Sequence, residues 1–109
     1  MSEALSLDNE IKLLLKTGKV VIGARRAIRA IKLGKAKAVI IASKIPKWIE
    51  EDVKYYARLG NIPIIRFNGT SYELGTVCGK LFPITTIAVL DPGESGIIEL
   101  GKGEEKVER

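Results

Sequence analysis

Residues 19–42 hold a strand, a helix and a second strand in immediate succession. Lys19-Val20-Val21-Ile22 is a short β-branched run, and Gly23 stops it. Ala24, Ala27, Ile28 and Ile31 then recur at helical spacing, with Arg25, Arg29 and Lys32 on the opposite side, until Leu33-Gly34 closes the helix. Ala38-Val39-Ile40-Ile41-Ala42 is a continuous apolar run of strand length, the pattern of a strand covered on both faces.

The same alternation extends in both directions. Upstream, Leu7, Ile11, Leu14 and Leu15 give an amphipathic helix over 6–16, ended by Thr17-Gly18. Downstream, Pro46 favours a helix start because its missing N–H is an orphan there anyway. Glu50, Glu51 and Asp52 suit the positive end of that helix dipole. Ile49, Val53, Tyr56 and Ala57 form its buried stripe, Gly60-Asn61 its stop, and both Tyr55 and Tyr56 read as core packing. Ile62–Arg66 is a third strand, with Pro63 marking an edge or entry position. Thr70 and Glu73 match a capping box, opening a short helix that buries Leu74, Val77 and Cys78. Thr85–Leu90 is a fourth strand, Asp91-Pro92-Gly93 a turn, and 96–100 a short final strand. Helices alternating with strands predict a three-layer α/β/α sandwich around a central mixed sheet of about four strands. Residues 1–100 form one domain, and 101–109, all Gly, Lys and Glu at the outset, a polar frayed tail.

Composition narrows the chemistry. The 109 residues are 46% hydrophobic and 28% charged, which is globular and enough for one core. There is no histidine, which removes Ser-His and Cys-His pairs and most zinc sites. One cysteine, Cys78, allows no internal disulfide, and its apolar helical setting makes it a buried structural thiol. No metal and no cofactor are expected. Met1–Glu10 has acids where a secretion signal needs bases, and no apolar run reaches the roughly 18 residues of a membrane span. A cytoplasmic setting with no membrane partner is expected. The absence of Gln and the 15 Ile among mixed charges hint at a hot-growing source.

Charge is segregated. Of 18 basic and 13 acidic residues, nine basic and no acidic ones fall in 17–47: Lys19, Arg25, Arg26, Arg29, Lys32, Lys35, Lys37, Lys44 and Lys47. Such a field attracts polyanions, nucleic acid first among them. Gly23 lets another backbone approach, and the free N–H groups of the helix it opens favour phosphate oxygens. Gly79-Lys80-Leu81-Phe82-Pro83-Ile84 is an unusually apolar loop, offering Leu81, Phe82 and Ile84 beside a cation, a combination suited to stacking on splayed RNA bases. By contrast, Gly75-Thr-Val-Cys-Gly79-Lys80 is one residue short of a phosphate loop and has Leu81 where Ser or Thr must bind magnesium. An enzymatic or small-molecule-binding domain would need a poised acid, base or nucleophile in a concave site, and no such set is present.

Thr17–Arg25, Asp52–Leu59, Tyr72–Phe82 and Val89–Ser95 resemble the large-subunit ribosomal protein 30e family of archaea and eukaryotes, part of the "L-seven-Ae" superfamily of kink-turn RNA binders. The resemblance runs from about Leu13 to Ile98. It implies an α/β/α sandwich, no catalysis, and a structural place in the large ribosomal subunit among rRNA and other ribosomal proteins; a monomer is the default expectation for the free protein. A superfamily role outside the ribosome, as a regulatory kink-turn binder, is the alternative. It also implies three RNA-contacting loops at one end: Gly23, Ala24, Arg25 and Arg26 with Arg29 one turn on; Ser43 and Lys44; and Lys80, Leu81 and Phe82. Founding kink-turn binders carry Asn-Glu where this chain has Arg25-Arg26, whereas the 30e branch commonly has Lys or Arg. Lys44 stands where close relatives often have Asn, which favours a phosphate contact over base reading there.

Overall fold

The computed structural model describes residues 7–98. The elements run α1 (Leu7–Thr17), β1 (Lys19–Ile22), α2 (Ala24–Lys32), β2 (Ala38–Ile41), α3 (Lys47–Gly60), β3 (Ile64–Arg66), α4 (Ser71–Val77) and β4 (Thr86–Asp91). The sheet order is β1-β4-β2-β3. β4 lies antiparallel to both β1 and β2, and β2 is parallel to β3. The sheet is therefore mixed, as the sequence predicts.

Alternation along the inner strands builds two cores. Ala38 and Ile40 of β2, with Ile87 and Val89 of β4, face Ile11 and Leu14 of α1 and Leu74 of α4. Val39 and Ile41, with Ala88, face Ala27, Ile28 and Ile31 of α2 and Ile49, Val53 and Ala57 of α3. Two helices cover each face, giving three layers. All four residues of β2 are buried, which explains why it reads as one apolar run rather than an alternating one. Pro63 precedes the edge strand β3, where its missing donor breaks no ladder bond.

Local chemistry sets the ends. The Glu73 N–H donates to Thr70 Oγ1 at 3.2 Å, and the Thr70 N–H donates to Glu73 Oε1 at 2.8 Å. The capping box is complete. Thr70→Ala removes one of its two bonds and is expected to lower unfolding stability by about 1 kcal/mol, read from the denaturant midpoint. A neutral result would mean that the Ile84 N–H···O=C Ser71 bond holds α4 by itself.

Three sequence expectations are corrected. Ile97 and Ile98 are helical rather than a strand. The Gly96 N–H donates to Glu10 on α1, which pulls the chain under the helix layer, and Ile97 is fully buried there rather than paired to the sheet. Residues 99–109, with the expected tail, lie outside the described residues, as do 1–6. Tyr55 is exposed rather than core, because it falls outside the Ile49–Val53–Ala57 stripe. Ile84 is buried, so it does not belong to the exposed apolar loop. No helix among the described residues is long and apolar enough to cross a membrane.

Candidate nucleic-acid interface

Strand direction gathers the loops. Ile22 at the end of β1 sits opposite Ile87, and Ile41 at the end of β2 sits opposite Thr86 and beside Arg66. The chain therefore leaves β1, β2 and β3, and enters β4, at one end of the sheet. Three contacts tie these crossings together. The Gly23 N–H donates to the Thr86 carbonyl at 3.0 Å, the Ala42 N–H to the Thr85 carbonyl at 3.0 Å, and the Ser43 N–H to the Gly69 carbonyl at 2.8 Å.

At this end Gly23, Ala24 and Arg26 share a hollow of about 580 Å³ with Lys80 and Phe82. Gly23 has φ 114°, a conformation L side chains rarely adopt, and nothing lies within 4 Å of where a Cβ would stand. The open space in front of it is thus combined with a backbone that only glycine takes without strain. No side chain caps α2, so its first N–H groups remain available to an anion.

The 80–84 loop is aimed by α4. Gly79, at φ 75°, and Lys80 close the helix with N–H bonds to the carbonyls of Thr76 and Gly75 at 2.9 Å each, a Schellman arrangement that turns the chain sharply. A Cβ on Gly75 would stand 2.1 Å from the Phe82 carbonyl oxygen, so the loop lies directly on the helix. Ile84 anchors the far side in the core. Between these anchors Leu81 is 104% exposed and Phe82 53%.

Ser43 and Lys44 lie at the same sheet end but do not line the hollow. Ser43 Oγ donates to the Phe67 carbonyl at 3.2 Å. Lys44 has φ 56°, a left-handed conformation that Asn or Gly takes more readily. Arg25 and Arg29 are turned to the flank. They line a separate hollow of about 330 Å³ with Lys32 of α2 and Trp48 and Asp52 of α3. The Arg25 guanidinium sits 5.6 Å from the Trp48 ring centroid. Of the residues expected at the site, the structure thus joins Gly23, Ala24, Arg26, Lys80 and Phe82, while Leu81, next to Phe82 in the chain, is fully exposed and does not line the hollow. Sequence reasoning missed Ser71 and Thr85, which also line the hollow at the loop end. The Thr70 capping box was the available signal for Ser71, since it fixes where α4 begins.

The thiol and the acidic cluster have structural surroundings. Burial pushes the Cys78 thiol above its ordinary pKa, against a smaller opposing pull from Lys80, so it stays protonated at neutral pH. Glu50, Glu51 and Asp52 diverge as consecutive helix positions must. Glu50 pairs with Lys54 at 3.0 Å and Arg66 at 3.4 Å, and Glu51 with Lys47 at 3.9 Å. The hydrogen bond from Lys54 is the largest influence holding the Glu50 carboxyl below its usual range. Among the described residues no group of three or more His, Cys, Asp or Glu could hold a metal.

The profile of the "Ribosomal protein L7Ae/L30e/S12e/Gadd45 family" matches residues 6–99. The chain belongs to this family. Family relatives include the large ribosomal subunit protein eL30 of Sulfurisphaera tokodaii, 50% identical over 99 residues, covering 91% of this chain and 93% of the relative. The chain is also 48% identical over 103 residues to the protein of the same name from Methanocaldococcus jannaschii, covering 94% of each. The matched segment takes in all three loops at the open end of the sheet.

Proposed function

We propose that this chain is a non-catalytic structural constituent of the large ribosomal subunit, in the cytoplasm, and that its loop end holds a kink-turn or kink-turn-like internal loop of rRNA. The observation that carries the RNA reading is the hollow itself. It sets a half-exposed phenyl ring beside a glycine-led helix start and two cations, Arg26 and Lys80. A sharply bent RNA presents what fits there: an unstacked base for Phe82 and Leu81, and crowded phosphates for Arg26, Lys80 and the free N–H groups of α2. Lys44 and Ser43 flank the hollow from β2, and Arg25 and Arg29 reach phosphates on the α2 side. The similarity to named large-subunit proteins over more than nine-tenths of the chain supports the ribosomal setting. rRNA and neighbouring ribosomal proteins are then the partners, and the free protein is a monomer.

Binding to a kink-turn RNA is compared with binding to an uninterrupted duplex of equal length. Clear preference for the kink-turn is expected, and equal affinity would leave only non-specific charge attraction. Arg26→Ala should reduce the slope of log K against log salt by about 0.7–0.9, one phosphate contact. An unchanged slope would move that contact elsewhere. In cell extracts the chain should sediment with the large subunit; sedimentation apart from it would favour a regulatory kink-turn binder.

A further inference from the structure

The outer face of α2 and α3 is built for something other than the loop end. Both helices start at the same end of the sheet and run side by side. Arg25 stacks on Trp48 at 5.6 Å, and Lys32 on Tyr56 at 4.8 Å, both measured to the ring centroid. Arg29 and Asp52 line the hollow between these rungs. The groove so defined is roughly 11 Å long, two helical turns. On α3, Trp48, Asp52, Tyr55 and Leu59 are spaced 4, 3 and 4 apart and form one stripe. Leu33, at the end of α2, is likewise exposed. These four large apolar side chains, Leu33, Trp48, Tyr55 and Leu59, are 46–68% exposed.

We propose that this face docks a second polypeptide, through an acidic amphipathic segment lying along the α2–α3 groove. Charge complementarity sets the partner's sign. Arg25, Arg29 and Lys32 make no ion pair with any carboxylate among the described residues, and Asp52 alone opposes them in the hollow. Chemistry sets its class. The rings of Trp48 and Tyr56 already carry a cation over one face, which competes with a stacking base. Exposed Tyr, Trp and Leu around arginine is the composition of a protein contact centre. A third helix packs naturally into the groove between two others, placing carboxylates on the cations and apolar residues on Tyr55 and Leu59. A second copy of this chain would bring cation row against cation row. The face shares only Arg25 and Arg29 with the RNA reading, and its remaining residues are independent of that reading.

The test is photo-crosslinking in cells expressing the full chain, with a benzophenone side chain placed at residue 55 and, separately, at residue 81. The expected result is a protein adduct from residue 55, mapping to an acidic amphipathic segment and reduced about tenfold by Lys32→Glu, since like charges then face each other. An rRNA adduct from residue 55, an adduct with a second copy, or an adduct insensitive to Lys32→Glu would overturn the proposal. So would silence at residue 55 while residue 81 crosslinks to RNA. A charge-sensitive protein adduct at 55 with no RNA adduct at 81 would uphold the docking face and remove the RNA reading instead.

Discussion

Replacing Phe82 by alanine weakens kink-turn RNA binding by about 1–3 kcal/mol, roughly fivefold to 150-fold in Kd, and leaves the fold in place. The two halves of this expectation have separate grounds. The ring is 53% exposed and projects from a loop whose anchors are Gly75 on one side and Ile84 on the other, so its removal opens no core cavity. Its free face looks into the hollow beside Gly23, Ala24 and Arg26, where no other aromatic ring lines the wall. Titration of the variant with kink-turn RNA, alongside thermal unfolding, separates the two. The same variant on a plain duplex should show little change, because duplex binding is carried by phosphate contacts. Undiminished kink-turn affinity would mean that the ring stacks on nothing, and that the loop's apolar character answers to some other partner.

Arg26 and Phe82 reach the same hollow for unrelated reasons. Arg26 is placed by Gly23, whose φ of 114° turns the chain from β1 into α2. Phe82 is placed by the closure of α4 and the entry to β4. The sheet register alone brings these together, since β1 and β4 are antiparallel neighbours with Ile22 opposite Ile87. A cationic helix start and an apolar loop separated by more than fifty residues thus become one concave surface.

The layers could be read from the chain because their causes are local. Runs such as 38–41, buried on both faces, and the Ile49–Val53–Ala57 stripe follow from periodicity. The Thr70–Glu73 box follows from two side chains three residues apart. What could not be read depends on neighbours distant in sequence. Ile97 and Ile98 have strand-like composition, yet they are helical beside the Gly96–Glu10 bond to α1, with Ile97 buried in the core that Ile11 and Leu14 share. Tyr55 and Tyr56 are identical by type, and their fates differ by one helical step, Tyr56 lying half-buried under Lys32. Arg25 has the spacing of a phosphate contact, yet Trp48, twenty-three positions on, holds it toward the flank. The loop at 80–84 could be recognised as odd, but not that Ile84 would be withdrawn and Leu81 left fully outside, because that depends on how closely α4 approaches.

That closeness makes Gly75→Ala the most informative substitution for the fold. In an ordinary helix interior alanine is favoured over glycine by about 1 kcal/mol, because glycine loses more backbone freedom on folding. Here the added Cβ would stand 2.1 Å from the Phe82 carbonyl oxygen and 3.2 Å from its carbonyl carbon, both backbone atoms that no rotamer change can move. The clash outweighs the propensity gain, and a net loss of about 1–3 kcal/mol is expected, the usual range for overpacking. For a domain of this size that lowers Tm by roughly 4–8 °C per kcal/mol. The damage does not stop at stability. The loop can relieve the contact only by lifting off α4, which stretches the Lys80 N–H bond to the Gly75 carbonyl and the Ile84 N–H bond to the Ser71 carbonyl, and tilts Leu81 and Phe82 away from Gly23. Kink-turn affinity should therefore fall further than for Phe82→Ala, while non-specific duplex binding persists. A variant that melts higher than the parent and binds kink-turn RNA equally well would show that the loop yields freely. Contact between α4 and the loop would then have no part in holding the ring at the hollow.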